Sequence, residues 1–120
     1  MAPDAIDAID ALKDLDRRGW DSYDGEPVSR GALGYARLFV QLVRVVAGAQ
    51  ADPLIGPRSD GGVSLLWRGR GSRKIEVRIP ALPGQQPTTF IVSNDFVLED
   101  EGRVDDPELF VKNVVQPHLR

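Results

Sequence analysis

Val63-Ser-Leu-Leu-Trp-Arg-Gly-Arg-Gly-Ser-Arg-Lys-Ile-Glu-Val-Arg-Ile79 is the stretch on which the fold turns. Val63, Leu65 and Trp67 alternate with Ser64, Leu66 and Arg68, and Ile75, Val77 and Ile79 alternate with Lys74, Glu76 and Arg78. A period of two puts one row on a buried face and the other in water, the signature of an antiparallel sheet with one solvated side. Setting Leu65 against Ile75 and Val63 against Val77 brings both apolar rows to the same side. Trp67 then faces Arg73, and Gly69-Arg70-Gly71 forms a three-residue loop with Gly71 left-handed. A loop of two or four residues would send one row into water, because a slip of one residue reverses the faces.

The same reading extends both ways along the chain. Leu54 to Arg58 is a short first strand, confined to an edge or an end by Pro57, and Ser-Asp-Gly-Gly at 59–62 is strong turn chemistry. Residues 81–87, with two prolines and a glycine, form an extended connection to a strand at Thr88–Ser93. Asn94-Asp95 turns the chain, and Phe96-Val97-Leu98 makes a last strand before the acidic stretch. Asp105-Asp106-Pro107-Glu108 opens a short C-terminal helix, which Pro117 stops.

Upstream of the sheet the period lengthens. Residues 3–18 read as a helix with an Ile6, Ile9, Leu12 and Leu15 stripe, acids toward its start, Arg17 and Arg18 at its end, and Gly19 as its stop. Ser29 caps a second helix, which is apolar around most of its circumference from Ala32 to Ala49. Only Arg37, Gln41 and Arg44 make a polar line, read as a solvated edge, so this is expected to be the most buried helix. It should cover the row Val63, Leu65, Trp67, Ile75, Val77 and Ile79. The expectation is one α+β domain over residues 1–120: two N-terminal helices, an antiparallel meander of four or five strands, and a short C-terminal helix.

Composition narrows the chemistry. The chain has 120 residues, 42% of them hydrophobic, and no cysteine, which excludes disulfides, thiolate nucleophiles and cysteine zinc sites. Its start is acidic, unlike a secretory signal, and Arg37, Gln41 and Arg44 interrupt the apolar Leu33–Ala49 stretch, so a cytoplasmic protein without a membrane span is expected. The net charge of −3 is unevenly placed. Eight acids meet three bases in residues 1–27, seven acids meet one base in 95–108, and six bases meet two acids in 58–78. Such segregation either steers a partner or balances charge on a solvated surface.

His118, the one histidine, lies near the C-terminal end, poor support for a catalytic base. Asp21, Asp24 and Glu26 lack the spacing of a calcium loop, and Asp4, Asp7 and Asp10 serve a helix dipole. No catalytic residue, metal ligand or cofactor is therefore assigned. Two candidate contact regions remain. Trp20, Asp21, Tyr23 and Asp24 combine aromatic anchors with an acidic rim, either fastening the first two helices or meeting a protein. Arg68, Arg70, Arg73 and Lys74 form a basic hairpin that suits phosphate or nucleic acid, although the glycines are not followed by a helix and no aromatic stacking platform interleaves them.

Gly19-Trp20-Asp21-Ser22-Tyr23, Pro27, the long apolar helix, Pro53-Leu54-Ile55-Gly56-Pro57, Gly61-Gly62 and Trp67 together resemble a scattered family of small bacterial proteins. The likeness spans roughly residues 12–80, with Ser22 where a glycine often stands. It implies an architecture of helices followed by an antiparallel sheet, and no activity. The leading expectation is a non-catalytic protein-binding module, an antitoxin-like or accessory partner of a neighbouring bacterial protein. Nucleic-acid or anionic-ligand binding through the basic hairpin is the second. An enzyme of carboxylate-only chemistry, using Asp21, Asp24 and Glu26, is the third.

Overall fold

The computed structural model describes residues 5–12, 27–48, 52–69 and 71–118. Two N-terminal helices, α1 (Ala5–Ala11) and α2 (Arg30–Ala47), precede five strands. These are β1 (Leu54–Pro57), β2 (Val63–Arg68), β3 (Arg73–Ile79), β4 (Thr89–Asn94) and β5 (Val97–Arg103). The chain ends in α3 (Pro107–Phe110), a π-helical turn (Val111–Val115) and α4 (Gln116–His118). All strand pairs are antiparallel and the order is β1-β2-β3-β4-β5, the expected meander with five strands.

Val63, Leu65, Trp67, Ile75, Val77 and Ile79 are all 2% exposed or less, and α2 packs against β2 and β3 above them. Burying such side chains contributes about 1.5–3 kcal/mol each, and with the apolar face of α2 they form one continuous core. The rows share a face as the alternation requires, but the register differs from the expected one by two residues. Trp67 faces Ile75, Leu65 faces Val77 and Val63 faces Ile79. Alternation settles only which face a side chain takes. The observed register pairs the indole with an isoleucine, where the expected one would have set it against the arginine. The turn is closed by the Gly69 N–H donating to the Arg73 carbonyl at 2.9 Å, with Gly71 at φ +62° as expected.

Ser29 caps α2 as its position demands: its hydroxyl accepts from Ala32 N–H at 3.2 Å and donates to the Ala81 carbonyl at 2.6 Å. Gly48, at φ +89°, ends the helix. Ala32, Leu33, Ala36, Phe39, Val40 and Val43 face the core. Burial is one-sided, however, and Val45 is 85% exposed. The polar line of α2 serves internal ties. Arg37 bonds Asp10 on α1, and Arg44 grips Asp52 at 2.6 and 3.0 Å. Asp52 also accepts the Ala5 N–H at 3.2 Å, joining α1, α2 and the approach to β1.

At the other end of α2, rings run from Tyr35 to Phe39, Phe110 and Phe90 with centroids 5.3, 6.2 and 5.0 Å apart, linking helix, C-terminal segment and β4. Asp106 caps α3 and Pro107 occupies its first turn. The C-terminal segment continues past Pro117, contrary to expectation. A π turn, seen in the Gln116 N–H bonding to the Val111 carbonyl, widens the helix where a proline ring would otherwise meet the carbonyl four residues back. The last strand is also longer than the expected Phe96–Leu98. β5 starts at Val97 and runs through Glu99, Asp100 and Glu101, because an edge strand exposed on both faces needs no apolar alternation. No described helix is long and apolar enough to cross a membrane.

Candidate functional site

The helices cover one face of the sheet. Among the described residues no element covers the other. Successive cross-strand rows on this open face read Leu54, Leu66, Glu76, Ile91, Glu101, and then Arg68, Lys74, Ser93, Leu98. Leu54 is 60% exposed and Leu98 53%. Leu66 and Ile91 are half-buried.

Where these rows reach the β2–β3 and β4–β5 turns, a groove of about 310 Å³ opens between Arg68, Ser72, Arg73, Lys74, Ser93, Asp95 and Phe96. The turns are tied by the Asp95 N–H donating to the Ser72 carbonyl at 3.3 Å. Asn94 pairs with Val97, leaving Asp95 and Phe96 as a two-residue loop with φ of +52° and +65°. Loops of this kind favour Asn-Gly or Asp-Gly, and a left-handed bulky residue costs about 1–2 kcal/mol. Phe96 takes the glycine position and remains 92% exposed, so burial does not offset that strain. The Lys74 ammonium lies 5.3 Å from the centre of its ring.

Arg68 and Lys74 are direct cross-strand partners on the open face. Like charges in that relation destabilise a sheet, and no described carboxylate pairs with either. The other described bases of this region are engaged. Arg58 approaches Asp60 at 3.6 Å, Arg78 bonds Glu76, and Arg73 bonds Glu99 through Nε at 2.6 Å and Nη2 at 3.2 Å. Glu99 is the extra residue of a bulge where the β4–β5 register shifts, which turns its carboxylate toward Arg73. Hydrogen bonding from Arg73 is the main reason the Glu99 carboxyl lies below its ordinary value, and the same contact raises the Arg73 guanidinium.

The basic hairpin is therefore divided. Arg68 and Lys74 stand together on the open face, Arg73 belongs to the helix-side row and is held by Glu99, and Arg70 lies outside the described residues. Trp20, Asp21, Tyr23 and Asp24 also lie outside the described residues, as does Glu26. Phe96 was missed by the sequence reading, which set the turn at Asn94-Asp95 and placed Phe96 in a strand. Its signal was a phenylalanine directly after Asn-Asp, where turn chemistry favours glycine.

His118 turns its ring back on its own helix, with Nδ1 2.6 Å from the Val114 carbonyl, to which it donates. No group of three or more acids and histidines with metal-holding geometry occurs among the described residues. A second depression, of about 270 Å³, lies between Tyr35, the 83–88 connection and Arg103–Asp105. Burial is the main cause raising the Tyr35 phenol, with Asp106 and Asp105 adding to it and a hydrogen bond with Thr88 opposing. Comparison of the chain with protein-family models, with curated proteins and with solved structures returns no match in any of the three.

Proposed function

We propose that this chain is a non-catalytic protein-binding module, the accessory or neutralising partner of a neighbouring protein, and that it meets that partner with the open face of its sheet. The observation that supports this reading is the pair of cross-strand rows in which Leu54, Leu66, Ile91 and Leu98 lie outside the core among charged side chains. Here apolar side chains flank the charged Lys74 and Glu76 of the central strand; such mixed apolar and charged surface is used in protein contacts, and exposed aromatic and arginine side chains carry much of the energy in them. Phe96 and Arg68 supply both at one corner.

The test is recovery of a stoichiometric partner from the native host by the wild-type chain and by a Leu66→Lys/Ile91→Lys variant. Both side chains point away from the core, so the variant is expected to keep its circular dichroism and melting temperature. Loss of the partner with the fold intact is the expected result. Undiminished recovery by the variant, or no stoichiometric partner for the wild type, overturns the reading.

A further inference from the structure

We propose that the groove between the two hairpin turns is a recognition site for an acidic segment of a protein partner, with a carboxylate held between Arg68 and Lys74 and an adjacent apolar side chain packed on Phe96 and Leu98. The proposal rests on the protein-binding reading above and gives that partner its chemistry.

Charge bookkeeping singles out the occupant. Of the described bases between residues 58 and 78, Arg58, Arg73 and Arg78 each have a carboxylate, whereas Arg68 and Lys74 face each other without one. An incoming carboxylate turns that repulsive pair into a clamp, since one anion accepts from both cations. Ser72 and Ser93 line the same groove, and a serine hydroxyl can donate to a carboxylate. Two cations suit one or two carboxylates. A polyphosphate needs a continuous basic track, and among the described residues Glu76 interrupts one beyond Lys74 on this face.

Phe96 supplies the second line of argument. The Asp95-Phe96 turn departs from its local preference in the very residue that gains nothing by burial. Departures of that kind concentrate where a side chain is presented for binding. Lys74 beside the ring reduces the conformational freedom that both side chains lose on association. Exchange of Phe96 for glycine should therefore move stability and binding in opposite directions. A purely structural role for the ring would move them together.

The experiment is a fluorescence-anisotropy titration of the full chain with a labelled ten-residue probe of alternating Glu, Asp and Leu. The reference probes are a lysine-containing peptide of the same length and a ten-nucleotide oligothymidylate. The acidic peptide is expected to bind the wild type and the lysine peptide to show nothing. Arg68→Gln and Lys74→Gln should each weaken binding about tenfold, as expected for loss of a charged hydrogen bond. Phe96→Gly should weaken it about fivefold while raising the melting temperature.

Retained affinity in both glutamine variants overturns the site. So does no binding of the acidic peptide at about 1 mM, the weak end of useful affinities. Tighter binding of the oligothymidylate, falling about fiftyfold between about 50 and about 200 mM salt as four neutralised phosphates imply, overturns it in favour of nucleic acid. Any of these results leaves the Leu66→Lys/Ile91→Lys comparison untouched, so failure of this site and failure of the open-face reading are distinguishable.

Discussion

Replacing Gly62 by alanine sets a methyl carbon 2.1 Å from the Ile79 carbonyl oxygen and 3.2 Å from its carbon. Close carbon–oxygen contacts in sheets lie near 3.3 Å, so the strands must part by about 1 Å. The obstacle is backbone, which cannot rotate aside. Val63 and Ile79, paired directly beyond this point, are fully buried, so the displacement spreads into the core. The turn is also held by Gly62 N–H to Asp60 at 2.9 Å and by Ser29 N–H to the Gly61 carbonyl at 2.8 Å. Overpacking of this kind costs about 3 kcal/mol. With an unfolding entropy of about 2.1 cal/mol/K per residue, that lowers the melting temperature by about 12 °C. Gly34 is the internal control: a methyl there, inside α2, meets nothing within 4 Å. Helix propensity then predicts a gain of about 1 kcal/mol, or about 4 °C. Differential scanning calorimetry of both variants reads the contrast. A Gly62→Ala melting temperature within about 2 °C of wild type would refute the close approach of the turn to β3.

Three further outcomes follow from the packing. Ser29→Ala should lose about 1–2 kcal/mol by chemical denaturation, because it removes the α2 cap and the bond to Ala81 together, while Ser29→Thr recovers part of the loss. Phe39→Ala should cost about 3–5 kcal/mol, since this fully buried ring stands between Tyr35 and Phe110, and retained stability would argue against the aromatic bridge. Asp52, whose carboxyl is held low chiefly by the Arg44 hydrogen bond with help from Ala5 N–H, binds a proton less readily when folded than when unfolded. Its stabilisation is therefore complete above the ordinary carboxylate value and lost as pH falls through the lowered folded value. Asp52→Asn should weaken the acid-side dependence of unfolding while leaving its alkaline side unchanged.

The core was legible because alternation and burial say the same thing: Val63 through Ile79 need one dry side, and the helix after Ser29 has the apolar face to supply it. What escaped reading had a local cause in each case. The hairpin register was misread because a two-residue slide preserves every face, so alternation alone does not tell Trp67 opposite Ile75 from Trp67 opposite Arg73. The acidic part of β5 was missed because hydrogen bonds to a single neighbour, with both faces wet, leave no hydrophobic pattern. Pro117 misled because a π turn makes room for its ring. At the candidate site the cations were legible by type, whereas their division was not. It depends on the bulge that aims Glu99 at Arg73 and leaves Arg68 and Lys74 together. Phe96 was hidden by placing the turn one residue early.

The meander leaves two rims, β1 and β5, and each is closed to growth by a different device. Pro57 withholds an amide from the first, and the exposed acids Asp100 and Glu101, beside the Arg73-bound Glu99, make the second repel a copy of itself at neutral pH. Sideways annealing into fibrils is thus discouraged at both margins. Screening or protonating those acids should loosen the second guard, making acidic, high-salt solutions the conditions under which this sheet is most prone to add strands.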